Sequence, residues 1–119
     1  MRQAMLEHVN VTVSDPRRTA ALMETLFDWK IRWEGPAKSG GHTVHVGTDD
    51  AYLAVYANGA TPPMGKLNHV AIVVEDLDAM EARVAAAGYA PFNHGSYEPG
   101  RRFYFLDHDG IEFEIVSYD

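Results

Sequence analysis

The feature that most constrains this chain is an internal repeat. LEHVNVTVSD, beginning at Leu6, and LNHVAIVVED, beginning at Leu67, carry Leu, His, Val, Val and Asp in step at an offset of 61 residues. Self-similarity at a fixed spacing marks a chain built from copies of one supersecondary unit. Between the copies, NGATPPMGK (residues 58–66) is rich in Gly and Pro and has no periodicity, which reads as a linker. The 119 residues therefore form a single domain of two modules, 1–57 and 67–119, each too small to bury an adequate core alone.

Both modules parse alike. Each opens on a β-branched run that predicts a strand. Asp15 and Asp76 stand where a helix N-cap belongs, and Pro16 suits a first helical position because its missing N–H costs nothing there. Leu22, Met23, Leu26 and Phe27 in the first helix, and Leu77, Met80 and Val84 in the second, recur at helical spacing and should be buried. Gly88 ends the second helix. Short strands follow around Lys30–Trp33, Thr43–Val46 and Tyr52–Tyr56, then Phe92–His94, Arg102–Leu106 and Glu112–Val116. Turns fall at Asp49-Asp50 and at Asp107 to Gly110. The order is βαβββ twice, an α+β class.

Composition excludes several function classes. With no cysteine, disulfides, thiolate chemistry and Cys-type zinc sites are ruled out, so a metal must be held by His, Asp, Glu or backbone oxygen. A formal charge of −7 argues against nucleic acid as a partner, since phosphate backbones select basic surfaces. Apolar runs such as Val70 to Val74 fall far short of the roughly 20 residues of a membrane span. The opening MRQAMLEHVN lacks the build of a signal peptide, so a cytoplasmic location is expected.

Strand alternation assigns faces. Val9, Val11 and Val13 should meet the first helix, leaving His8, Asn10 and Thr12 opposite. Val70, Ile72 and Val74 should meet the second, leaving His69, Ala71 and Val73. In the last strand Phe113 and Ile115 face the helix, and Glu112, Glu114 and Val116 do not. His8, His69 and Glu114 thus emerge as candidate metal ligands, because two imidazoles and a carboxylate are a sufficient facial set for Fe(II) or Mn(II). Histidines that serve only as hydrogen-bonded strand residues are the competing reading.

These segments resemble the vicinal-oxygen-chelate superfamily, which includes glyoxalases, bleomycin resistance proteins and extradiol dioxygenases. LNHVAIVVED is similar to the family's opening strand, whose His is a ligand, and FYFLDHDGIEFEI to its closing hairpin, with His108 where Pro is common. The resemblance implies paired βαβββ modules related by a pseudo-two-fold axis, with mixed sheets curled into a cup around a divalent metal. Fe(II) or Mn(II) is favoured, with Ni(II) or Zn(II) as alternatives. It also implies His8, His69 and Glu114 as ligands and, commonly, a homodimer. Alignment of the two closing turns puts Ala54 at the fourth ligand position. Isomerising members carry Glu or Gln there, so glyoxalase I activity is not expected.

The resemblance therefore implies a metal-dependent enzyme whose small oxygenated substrate chelates the metal. Dioxygenase-type chemistry ranks ahead of lyase, isomerase or thiol-transferase chemistry. A metal-free drug-binding protein is the rival from another class. Asn10, Thr12, Tyr52, Tyr56, Arg102 and Tyr104 are expected to line the cup. Tyr104 and His42, with His45 nearby, are the candidates for moving a proton. Arg102 is expected to pair with a substrate carboxylate or with Glu112. His94 and His108 should be exposed, and HGSYEPG, from His94 to Gly100, should form a flexible lip.

Overall fold

Two aspartates start the two helices of the computed structural model, which describes residues 6–37, 40–59, 67, 69–97 and 100–118. The chain forms two compact units, Met1–Met64 and Gly65–Asp119. In the first, strand β1 (His8–Thr12) leads to helix α1 (Pro16–Phe27) and strands β2 (Lys30–Pro36), β3 (His42–Gly47) and β4 (Tyr52–Ala57). In the second, β5 (Val70–Val73) leads to α2 (Leu77–Ala86), β6 (Phe92–Tyr97), β7 (Gly100–Leu106) and β8 (Glu112–Ser117). The expected βαβββ order holds in both. Several strands run beyond their expected ends, because pairing partners continue the ladder past the apolar cores.

Asp15 Oδ1 accepts from the backbone N–H of Arg17 and Arg18, at 3.1 and 3.3 Å, capping α1 ahead of Pro16. Asp76 Oδ1 accepts from Ala79 N–H at 3.0 Å and does the same for α2. The helix faces are those the spacing predicts, with Leu22, Met23 and Leu26 buried on α1 and Leu77, Met80 and Val84 on α2. Phe27 is only half-buried and lies against Trp29, with ring centroids 5.3 Å apart.

Each unit contains a four-stranded mixed sheet, ordered β1-β4-β3-β2 and β5-β8-β7-β6. The first and last strands of each unit pair in parallel, and the remaining pairs are antiparallel. Val11, Val44, Val46, Leu53 and Val55 pack beneath α1, while Phe103, Phe105, Phe113 and Ile115 form the core under α2. These residues alternate with the set that faces away from the helices, and that second set carries the chemistry.

Two sequence expectations are corrected here. His94 to Tyr97 is strand rather than loop, paired with β7 through Gly95↔Arg102 and Ser96↔Arg101, because the two strands form a tight hairpin. His108 is not exposed; its side chain is only 5% accessible, and Nδ1 lies 3.2 Å from the Tyr89 hydroxyl, which holds it in the turn. Most of the expected linker, residues 60–66, falls outside the described residues.

Candidate metal centre and ligand-binding faces

The helix-free face of the second unit brings together His69, Arg102, Tyr104 and Glu114. Glu114 stands at the middle of β8, opposite Ala71 on β5 and Tyr104 on β7. The residue is only 7% exposed, yet both carboxylate oxygens have partners. Oε1 lies 3.1 Å from His69 Nε2, and Oε2 accepts from Arg102 Nη1 at 3.0 Å. Arg102 thus pairs with Glu114, not with Glu112, because Arg102 lies opposite Val116, one same-face step along β8 from Glu114 and two from Glu112. The Tyr104 ring meets His69 edge-on with centroids 6.1 Å apart.

This donor set fits a divalent ion. Two ligands at right angles on an ion, each bonded at about 2.1 Å, sit about 3 Å apart, and the His69–Glu114 separation is 3.1 Å. Arg102 on the far oxygen fixes the carboxylate's orientation, the usual task of a group that supports a metal ligand from behind.

In the first unit, His8 lies on the corresponding face, opposite Tyr52. Its Nδ1 is 2.9 Å from Glu7 Oε1. A carboxylate only accepts, so Nδ1 is the donor in this contact and Nε2 takes no part in it. That same hydrogen bond is the largest of the influences holding the Glu7 carboxyl below its ordinary pKa.

The two faces can be aligned through their ladders. Ala54 lies opposite Asn10 and Glu114 opposite Ala71. Asn10 and Ala71 are 61 residues apart, the offset of the repeat. Ala54 therefore occupies in the first unit the place Glu114 occupies in the second. His45 is paired with Ala54 just as Tyr104 is paired with Glu114.

A concavity of about 550 Å³ opens over Ala54, walled by His8, Asn10, Thr12, Trp33, His45, Tyr52 and Tyr56. Asn10, Thr12, Tyr52 and Tyr56 thus line one hollow, while Arg102 and Tyr104 belong to the face of the second unit. His42 lies elsewhere. It alternates with Thr43 and His45, and its Nε2 makes an ion pair with Glu34 at 2.9 Å. His45 is the imidazole in the wall, stacked on Tyr52 at 4.6 Å and tilted against Trp33 at 5.2 Å. Burial, and then the positive charge of His8 and Arg32, hold its pKa below the ordinary imidazole value. Alternation of β3, counted back from buried Val44 and Val46, is the sequence feature that distinguishes His45 from His42.

Among the described residues, one group of three donors converges: Asp107, His108 and Asp109, with donor atoms within 4.8 Å of one another. Its contacts hold the β7–β8 turn. Asp107 Oδ1 accepts from the N–H groups of Asp109 and Ile111, both at 2.9 Å.

The sequence profile of the Glyoxalase/Bleomycin resistance protein/Dioxygenase superfamily matches residues 5–115. The chain belongs to that superfamily. Solved structures share its fold at low identity. TnmS3, an antibiotic binding protein from Streptomyces sp. CB03234, superposes with a TM-score of 0.82 at 23% identity, covering 98% of each chain. A glyoxylase/bleomycin resistance protein/dioxygenase domain from Frankia sp. EAN1pec gives a TM-score of 0.83 at 23% identity, covering 98% of this chain and 93% of that one. The fosfomycin resistance protein FosX from Listeria monocytogenes, complexed with Mn(II) and sulfate, gives 0.77 at 19% identity, with 98% and 93% covered. No curated protein sequence matches the chain. No helix among the described residues is long and apolar enough to cross a membrane.

Proposed function

We propose that this superfamily member is a metal-dependent enzyme acting on a small oxygenated substrate that chelates a divalent ion through adjacent oxygens. The observation that carries the reading is the 3.1 Å approach of His69 Nε2 to Glu114 Oε1, with Arg102 fixing the other oxygen. His8 is the third ligand, carried over from the family's ligand positions and supported by the Glu7 contact that leaves Nε2 available. The ion is Fe(II) or Mn(II), which two imidazoles and a carboxylate hold with positions left open. Bound there, it acts as a Lewis acid on the chelated oxygens.

Ala54 in place of a fourth ligand disfavours proton-shuttling isomerisation and leaves dioxygenase-type chemistry as the preferred reaction. His45, neutral at pH 7, is the proton acceptor, in place of His42. Tyr104, beside His69 and Glu114, orients the substrate. The reading requires a module-one face to supply His8, from the same chain or from the partner in a homodimer.

A metal-free binding protein is the second reading. It is favoured by the Arg102–Glu114 pair, which neutralises the carboxylate without an ion. Uptake of Mn(II) and Fe(II) by protein stripped with chelator separates the two. About one equivalent bound to wild type, falling to roughly a tenth in His69→Ala and Glu114→Ala, is the expected result. Wild type that takes up no Mn(II), Fe(II), Ni(II) or Zn(II) would sink the enzyme reading.

A further inference from the structure

The β7–β8 turn encloses two carboxyl groups and an imidazole that hydrogen bonding within the turn does not fully use. Asp107 Oδ1 is engaged, since it accepts from the N–H groups of Asp109 and Ile111. Oδ2 of the same carboxyl has no hydrogen-bond partner among the described residues, although Asp107 is only 6% exposed. A buried carboxylate oxygen left in that state is costly, and a bound ion is one of the standard ways of relieving it. Burial pushes the Asp107 carboxyl up, and Asp109 adds to the effect while His108 opposes it.

The next two residues supply the rest of a ligand set. Each of the three brings a donor atom, all within 4.8 Å of one another. The His108 and Asp109 side chains are only 5% and 8% exposed, so these are not the solvated groups of an ordinary acidic turn. His108 Nε2 stands 3.4 Å from Asp109 Oδ2. That is long for a hydrogen bond between charged groups, which measures about 2.7–2.9 Å. It matches two ligands on a tetrahedral ion, which lie about 3.3 Å apart when each bond is about 2.0 Å.

On the other side of the imidazole, Nδ1 lies 3.2 Å from the Tyr89 hydroxyl. A hydroxyl accepts as readily as it donates. Nδ1–H can therefore go to Tyr89 while Nε2 offers its lone pair to a metal, the arrangement typical of histidine ligands. Tyr89 is itself held in place, with its N–H donating to the Val84 carbonyl at 3.2 Å and its ring against Phe105. Gly110, at the end of the turn, is exposed, so an ion has only the turn itself to pass.

We propose that this turn is a second metal site, in which Asp107, His108 and Asp109 hold Zn(II) and water takes the fourth position. Two carboxylates cancel the charge of the ion, so the buried cluster becomes neutral as a whole. The site is structural, clamping the hairpin that carries Glu114 on β8. It is independent of the centre at His69 and Glu114.

The test uses full-length protein carrying His69→Ala and Glu114→Ala, stripped with chelator. Zn(II) uptake is read by competition with a chromogenic chelator, and Co(II) absorption reports the geometry. About one equivalent of Zn(II) is expected, with tetrahedral Co(II) bands and a melting temperature that rises with Zn(II) concentration. Adding His108→Gln or Asp107→Asn should abolish the uptake and the thermal shift together. Asp107→Asn keeps the acceptor of the turn, which separates ligation from folding. Tyr89→Phe, which takes the partner from Nδ1, should weaken binding roughly tenfold. No saturable uptake by the doubly substituted protein overturns the proposal. So does an equivalent of Zn(II) that persists undiminished with Asp107→Asn or His108→Gln, since it then lies elsewhere. Neither outcome touches the reading of His69 and Glu114, which stands or falls with Mn(II) and Fe(II) uptake by the unsubstituted chain.

Discussion

Arg102 and Glu114 form a buried ion pair, with side chains only 12% and 10% exposed and Nη1 donating to Oε2 at 3.0 Å. Removing one partner strands a charge in a poorly solvated place. Arg102→Met should therefore cost about 3 kcal/mol, measured as a lowered urea midpoint. If Glu114 is a metal ligand, saturating Mn(II) should recover part of that loss by binding only the folded state. A deficit that Mn(II) leaves unchanged would count against the ligand role.

Asp107 makes a different prediction. Burial raises its pKa, and the N–H groups of Asp109 and Ile111 only partly oppose that. A carboxyl whose folded pKa is raised contributes stability below the ordinary aspartate value, and this is lost as pH rises through the folded one. At pH 7 the charge is thus a burden, while the Oδ1 acceptor is an asset. Asp107→Asn keeps the acceptor and should hold or raise the melting temperature at neutral pH. Asp107→Ala loses both turn bonds and should cost about 1–2 kcal/mol.

His45 titrates in the opposite sense. Its folded pKa lies below the ordinary imidazole value. Well above the ordinary imidazole value of about 6.5 the ring is neutral in both states and contributes no pH dependence. As pH falls below that, the unfolded chain takes up the proton first, and stability drops until the folded pKa is passed. The fall in urea midpoint between about pH 7.5 and pH 5.5 should be smaller in His45→Gln than in wild type. An NMR titration of His45 with a midpoint above that of free histidine would refute the assignment.

Gly47 closes the β3–β4 hairpin so tightly that a Cβ there would stand 2.3 Å from the Ala51 carbonyl oxygen and 2.6 Å from Tyr52 Cα. Both are backbone atoms and cannot swing aside. Gly47→Ala should destabilise by about 1–3 kcal/mol and disturb Tyr52, whose ring stacks on both His8 and His45. Denaturation midpoints and the near-ultraviolet circular dichroism of the tyrosines would register the two effects together.

Much of this was legible in the chain because the signals were local and periodic. The repeat, the caps at Asp15 and Asp76 and the alternation of Val11, Phe113 and Ile115 each depend on neighbours in sequence, so they predict both modules and the faces of their strands. Placing Ala54 at the position equivalent to Glu114 needed only the two closing turns. What escaped were side-chain partnerships across strands. Arg102 reaches Glu114 because β7 and β8 align those residues diagonally, through Arg102↔Val116 and Tyr104↔Glu114. His108 turns inward because Tyr89, just past the end of α2, meets it. Trp33 lies over the space that Gly35 leaves and follows a register shift between Ile31 and Trp33, which strict alternation does not anticipate.

The alternation along β4 and β8 has a consequence for how such a protein diversifies. Leu53 and Val55, like Phe113 and Ile115, belong to the cores, whereas Ala54 and Glu114 between them face away from the helices. After duplication, one copy can gain or lose a carboxylate at that position with no change in the residues that hold its sheet to its helix. Selection on chemistry and selection on folding then act on neighbouring positions of the same strand without competing, which leaves the reaction free to drift while the architecture stays fixed.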